Sequence, residues 1–181
     1  MTTATMKSGL GQTSGVVSEL TAVLTVKEGH EADLRAAAQR FNGRIDGAPR
    51  EALRKIGIRN MRLVMYDEGR RLLWTTSFET DWDPYIDDAL MLLGITSWTD
   101  WLQYTNEFPG TQPTNAEVKA FIQTAQAPST AFFDALGDAT MPQIWKAQQL
   151  AAAFQQVLDD PAAEEALSHP ALAPLLELAA H

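Results

Sequence analysis

Residues 60–79 read NMRLVMYDEGRRLLWTTSFE, and no other stretch of the chain limits the fold as tightly. Met61, Leu63 and Met65 alternate with Arg62, Val64 and Tyr66. After a short Asp/Gly loop, Leu72, Trp74, Thr76 and Phe78 alternate with Leu73, Thr75 and Ser77. Side chains along a strand point to opposite faces in turn, so two alternating runs joined by a tight polar loop predict a β-hairpin with one buried face. A hairpin cannot bury that face alone, and the flanking sequence must supply the partners.

Upstream, ELTAVLTVK (19–27) places Leu20, Ala22, Leu24 and Val26 on one side and Thr21, Val23 and Thr25 on the other, the pattern of another half-buried strand. Gly29 breaks the run, and Leu34, Ala37, Ala38 and Phe41 then follow helical spacing. A short helix is expected over 48–56, with Pro49 in its first turn. Downstream, Asp81 or Asp83 can cap a helix that carries Pro84 in its first turn, continues through Tyr85, Ala89 and Leu92, and ends at Gly94. Trp98, Trp101, Leu102 and Thr105 share a side of a second short helix. A further helix begins at Thr114 or Asn115, and STAFFDAL (129–136) reads as a fourth strand. The next helix has Ile144, Ala147, Leu150, Ala151, Phe154 and Leu158 on one face.

The order strand, helix, strand, strand, helix, strand predicts an α+β fold: a ferredoxin-like βαββαβ layout with a four-stranded antiparallel sheet, extra helices and a C-terminal helical tail. Residues 1–17, rich in Ser, Thr and Gly, read as a flexible leader, 18–158 as the domain, and 159–181 as short helical turns. Helices cover one sheet face. The other carries Arg62, Val64 and Tyr66, with Trp74 and Phe78 as further candidates, and a second copy of the sheet is its simplest cover, which predicts a homodimer.

Composition narrows the class of function. The formal net charge of −9 argues against nucleic acid and against an anionic membrane surface as partners. The chain has no cysteine, which removes disulfides, thiolate catalysis and cysteine-based metal sites. The N-terminus lacks an apolar signal core, and no run approaches the ~18–20 apolar residues of a membrane span, so a cytoplasmic location is expected.

Chemistry concentrates in ETDWDPYIDDALMLLGITSWTDWLQYTNEFPG (79–110), which holds three of the five tryptophans. With the hairpin, it supplies Trp74, Trp82, Tyr85, Trp98, Trp101, Tyr104 and Asn106. These can wall an apolar pocket for a flat small molecule, with a few oriented donors, or they can be plain core packing. Asp81, Asp83, Asp87 and Asp88 suit a helix N-terminus better than a paired acid and base. Arg62 faces the inter-sheet side and, if buried, needs a carboxylate or an anionic ligand; Glu79, Asp81 and Asp134 are internal candidates. His30, His169 and His181 lie at a helix start, in the tail and at the last residue, and no metal-ligand spacing is present.

LTAVLTVKEGHEADLRAA, RNMRLVMYDEGRRLLWTTSFETDWDPYIDD and STAFFDALGDAT together resemble the dimeric α+β-barrel superfamily. The similarity is strongest to small actinobacterial members whose second hairpin strand runs into an F…W…Y…DD segment, here Phe78 to Asp88. It spans about 19–158. The wider superfamily includes antibiotic-biosynthesis monooxygenases and, more distantly, haem proteins of the dye-decolourising peroxidase and chlorite dismutase type. The resemblance implies a dimeric barrel and an enzyme of specialised metabolism, a cofactor-free monooxygenase or cyclase acting on a hydrophobic or aromatic substrate. Arg62, Trp82, Tyr85 and Asn106 are the candidate catalytic residues, and Tyr66, Trp74, Phe78, Trp98, Trp101 and Tyr104 the candidate ligand wall. No cofactor is expected. Haem binding with peroxidase-like activity and a non-catalytic binding or assembly module are the alternatives.

Overall fold

A computed structural model describes residues 9–108, 110 and 112–180 of the chain. The expected hairpin is present as β3 (Ile58–Tyr66) and β4 (Arg71–Phe78), paired from Tyr66↔Arg71 to Ile58↔Phe78. Its loop is tight because Asp67, Glu68 and Gly69 all adopt positive φ, at 53°, 57° and 90°. Only glycine does so without cost, so the two acidic residues carry local strain that the loop hydrogen bonds Gly69 N to Tyr66 O and Arg70 N to Asp67 O offset. Strand β2 (Val17–Thr25) pairs antiparallel with the other edge of β4, from Ser18↔Phe78 to Thr25↔Arg71.

This register decides which side chains meet. Ala22, Trp74 and Leu63 form one cross-strand row, and Leu24, Leu72 and Met65 another. Trp74 and Phe78 therefore join the helix-covered face, each only 1% exposed. Their assignment to the opposite face is corrected by strand parity, since both lie an even number of residues from buried Leu72.

The sheet is four-stranded and antiparallel, in the order β1-β2-β4-β3, and with its helices makes an α+β fold. Its fourth strand is not the one expected. Residues 129–136 have no strand structure. The edge is held by β1 (Thr13–Ser14), which turns through Gly15 at φ 61° and pairs with Val17 and Ser18. Farther along β2, Gln126 bridges Ala22, and Ala127 N donates to Thr21 O at 2.8 Å. The N-terminal hairpin thus occupies edge positions that a longer fourth strand would need. Val16 N also donates to Gly137 O at 2.8 Å, and a Cβ on Gly15 would lie 2.2 Å from that oxygen. Only a glycine backbone permits this approach, which fixes the 129–137 segment beside the hairpin instead of within the sheet.

Helices α1 (Glu31–Asp46), α2 (Arg50–Lys55), α3 (Trp82–Leu93), α4 (Ile95–Leu102) and α5 (Asn115–Ala125) follow the spacing of their apolar residues. Helix α1 buries Leu34, Ala37 and Phe41, and α3 buries Trp82, Tyr85, Ile86, Ala89 and Leu90. One core joins them to Leu20, Leu24, Leu72 and Trp74 of the sheet. Helix α5 starts with a reciprocal capping box: Thr114 Oγ1 accepts from Glu117 N, and the Glu117 carboxylate accepts from Thr114 N. That backbone bond is the main reason the Glu117 carboxyl is held below its ordinary value. Asp81 sits at the N-cap of α3 but makes no side-chain cap bond. Asp83 and Asp87 instead pair with Lys119 of α5 at 3.1 and 2.8 Å.

The chain divides into compact units at residues 1–141 and 142–181. The second holds most of α6 (Met141–Leu158), then a 3-10 turn (Pro161–Ala163), α7 (Glu164–Leu167), a second 3-10 turn (Pro170–Leu172) and α8 (Ala173–Ala179). Asp160 and His169 cap the two 3-10 turns through their side chains. No residue of α6 is buried, and Leu150, expected on its packed face, is 68% exposed. Among the described residues, no helix is long and apolar enough to cross a membrane.

Candidate functional site

Trp74 on β4 meets Trp98 and Trp101 of α4, with ring centroids 5.4 and 5.8 Å apart. Phe41 of α1 meets the same two indoles at 5.0 and 5.7 Å. Edge-to-face contact of this kind sets positive ring edges against negative ring faces. None of the four rings is more than 2% exposed. Trp98 Nε1 donates to Ala89 O at 3.3 Å, whereas Nε1 of Trp74 and of Trp101 has no acceptor among the described residues. A buried donor without a partner costs about 1–3 kcal/mol, so this cluster carries two such penalties within one packing unit.

Beside it, the Tyr85 ring stacks on Phe78 at a centroid distance of 4.0 Å. Its hydroxyl is 2.6 Å from Thr76 Oγ1, which itself donates to Asn60 O at 2.9 Å. Thr76 has spent its one proton, so Tyr85 is the donor. Burial pushes the Tyr85 phenol well above its ordinary value, outweighing the opposing Thr76 bond. Trp82 is buried at the start of α3, with Lys119 Nζ 5.7 Å from its ring centre and its own Nε1 without an acceptor among the described residues.

The remaining expected residues lie elsewhere. Tyr104 is half-buried against His30, with ring centroids 5.6 Å apart. Asn106 is exposed, and its backbone N donates to Thr25 O at 2.9 Å. Arg62 and Tyr66 are exposed on the sheet face away from the helices. The structure thus brings Trp74, Trp98 and Trp101 together, sets Phe78, Tyr85 and Trp82 close by in the core, and leaves Arg62, Tyr66 and Asn106 apart from both groups.

The open sheet face has a composition of its own. One row reads Glu19, Ser77, Asn60 and the next Thr21, Thr75, Arg62 across β2, β4 and β3. These six residues floor a groove of about 570 Å³ whose other wall includes Ser129, Phe132 and Phe133. Of the ten expected site residues, Arg62 alone lines this groove. Arg62 Nε reaches Thr75 Oγ1 at 3.3 Å, and Arg62 has no ion-pair partner among the described residues. Two of the three acids expected to neutralise it are taken by Arg59, which pairs with Glu79 at 2.9 Å and Asp134 at 2.8 Å, and the third, Asp81, sits at the N-cap of α3. The register shift between Ile58 and Asn60 takes Arg59 out of the regular alternation, which is why it, and not Arg62, finds those carboxylates. Arg59 also donates to Leu136 O and to Ala139 O, and Glu79 accepts from Met141 N at 2.6 Å.

Sequence reading missed Glu19 as a groove residue. Its parity with Thr21 and Val23 was visible, but its burial at 6% depends on how residues 11–12 fold back on β2. Glu19 N donates to Gln12 O at 3.1 Å, and Gln12 N donates to Glu19 Oε1 at 3.0 Å. Among the described residues, no group of three or more His, Asp or Glu side chains is placed to hold a metal ion.

No protein-family model matches the chain, and no curated protein matches it. Two solved structures are similar to it. One is a protein from Bordetella bronchiseptica provisionally named an antibiotic biosynthesis monooxygenase, 19% identical, covering 54% of this chain and 97% of its own, with a TM-score of 0.40. The other, provisionally named the same way, is from Nitrosomonas europaea, 12% identical, covering 57% of this chain and 98% of its own, also with a TM-score of 0.40. At these identities and scores the likeness assigns no activity to the chain.

Proposed function

We propose that this chain is a small-molecule enzyme of the cofactor-free monooxygenase or cyclase kind, acting as a homodimer on a hydrophobic or aromatic substrate held between the sheet and the helix layer. The observation that carries the reading is the pair of indole N–H groups, on Trp74 and Trp101, buried without an acceptor. A substrate oxygen that reached either N–H would remove its desolvation penalty. Donors already desolvated stabilise a developing enolate oxygen without reorganising at the moment of reaction. The flat aromatic walls suit a fused-ring substrate.

Two measurements test this together: quenching of tryptophan fluorescence by fused-ring ligands, and oxygen uptake with an enolisable fused-ring ketone such as 2-tetralone. Binding in the cluster should quench fluorescence, and Trp101→Phe should cut the protein-dependent uptake at least about tenfold, the effect of losing ~1.4 kcal/mol of transition-state stabilisation. Equal uptake in wild type and variant, with unquenched fluorescence across a ligand panel, would overturn the reading.

A non-catalytic binding or assembly module has one observation in its favour, the near-complete burial of the four-ring cluster as a filled core. The same experiment separates it from the enzyme reading. The haem alternative gains nothing from the described histidines, since His30 and His169 are both exposed on the surface and outside the indole cluster. A Soret band on titration with hemin would restore it.

A further inference from the structure

The groove on the open sheet face holds two opposite charges, and neither has an ionic partner among the described residues. Glu19 is 6% exposed, and among the described residues its carboxylate accepts from uncharged donors, Gln12 N on Oε1 and Thr21 Oγ1 on Oε2, both at 3.0 Å. No cation pairs with it among the described residues. Burying a carboxylate without a countercharge is costly, and proteins pair or neutralise such groups. Strand β4 lies between Glu19 and Arg62, which stand in neighbouring rows, so their backbones are two strand spacings across and two residues along, roughly 12 Å apart. The Arg62 side chain leans back over β4, as its contact with Thr75 Oγ1 shows. Between them the floor is lined by the hydroxyls of Thr75 and Ser77, and Phe132 and Phe133 form an aromatic wall.

We propose that this groove binds a small zwitterion, an α-amino acid with an apolar or aromatic side chain. Its carboxylate would take the Arg62 guanidinium, its ammonium the Glu19 carboxylate, and its side chain the Phe132 and Phe133 wall. Each charged end supplies what the facing protein group lacks, and both contacts are charge-assisted hydrogen bonds. A carboxylate alone leaves buried Glu19 without a countercharge, and an ammonium alone leaves Arg62 paired only with Thr75, among the described residues, and with water. The site lies on the opposite face of the sheet from the indole cluster and does not depend on the proposed oxygenase chemistry.

The test compares three ligands of one size on the full-length, nitrogen-15-labelled protein, read at the backbone amides of Thr75 and Ser77. L-phenylalanine should shift both amides. Phenethylamine and 3-phenylpropanoate, each missing one charge, should bind at least about tenfold more weakly. Glu19→Gln keeps an acceptor for Gln12 N and should bring L-phenylalanine down to the affinity of 3-phenylpropanoate. Arg62→Met should bring it down to that of phenethylamine. No shift at either amide up to about 10 mM L-phenylalanine, ten times the ~1 mM Kd that ~4 kcal/mol of binding provides, overturns the proposal. Equal affinity for the three ligands overturns it too. The wild-type ligand series decides the matter even if a variant fails to fold. Loss of fluorescence quenching in the indole cluster would not bear on it.

Discussion

The Tyr85 hydroxyl donates to Thr76 Oγ1 at 2.6 Å from a ring stacked nearly parallel to Phe78, with an interplanar angle of 2°. A phenol held this way joins α3 to the middle of the sheet. Its raised pKa keeps it protonated at neutral pH, so it serves as a donor and not as a base.

Tyr85→Phe should therefore act on stability. It removes one net hydrogen bond, worth about 1 kcal/mol, and keeps the stack and the volume. Urea unfolding should show a lower midpoint at unchanged slope. The oxygen uptake proposed for the folded protein should stay within about twofold, well short of the tenfold that ~1.4 kcal/mol in the barrier represents. A large loss of turnover at full stability would place the phenol in the chemistry instead.

Arg59, Glu79 and Asp134 form a buried ionic group, with Arg59 and Glu79 side chains each 7% exposed. Removing the cation leaves two acids facing each other in a poorly solvated place. Arg59→Met should cost about 3–5 kcal/mol, the usual effect of breaking one side of a buried pair. Arg59→Lys should recover only part of this, because one ammonium cannot match a guanidinium that bonds two carboxylates and two carbonyls. Thermal melts give the stability, and limited proteolysis within 134–140 reports release of the segment that Arg59 holds. A melting temperature unchanged by Arg59→Met would show the network to be dispensable.

The hairpin, the strand at 17–25 and the helices were legible because each follows one period over several turns or pleats. Trp74 shows where legibility ended. Its neighbours Trp98 and Trp101 come from a helix more than twenty residues away in the chain, so an alternating strand pattern cannot say whether a cavity or a filled core lies between them. The fourth strand was misplaced for a similar reason. STAFFDAL has strand-like composition, but the edge it would join is occupied by Thr13–Ser14, two residues with no periodic signal. Arg59 and Arg62 were separable only through the register shift at Ile58/Asn60, which composition does not encode. Glu19 became a groove residue only once Gln12 folded over it.

Asp100 of α4 accepts from Arg40 of α1 at 3.0 and 2.7 Å, and Arg44 stands 3.3 Å away. The Arg40 hydrogen bonds hold the Asp100 carboxyl below its ordinary value. A carboxyl whose pKa is lower folded than unfolded adds stability above its unfolded value, near 4, and loses it as pH falls through the depressed folded value. Asp100→Asn should therefore lower the melting temperature modestly at pH 7 and flatten its fall in the acid limb below about pH 4. The effect should shrink in high salt, because Arg40 and Arg44 are largely exposed. Parallel acid limbs in wild type and Asp100→Asn would show that the pair contributes nothing to folding.

Past the polar rows of the open sheet face, Val23, Leu73 and Val64 form an apolar row, and Tyr66 lies in the row beyond it. Val64 is 41% and Tyr66 40% exposed. A β-branched residue and an aromatic ring in adjacent rows of a flat surface make a patch that a second copy can cover by two-fold symmetry, each side chain being buried twice over. Burying the exposed two-fifths of one such side chain contributes roughly 1 kcal/mol, and the symmetric contact doubles it. The protein should therefore run as a dimer by size-exclusion chromatography with light scattering. Val64→Asp should produce a monomer with an unchanged far-ultraviolet circular dichroism spectrum, because the substitution sets two like charges against each other across the two-fold axis and disturbs nothing in the core. A wild-type protein that stays monomeric throughout a dilution series, or a Val64→Asp variant that stays dimeric, would place the contact elsewhere on the chain.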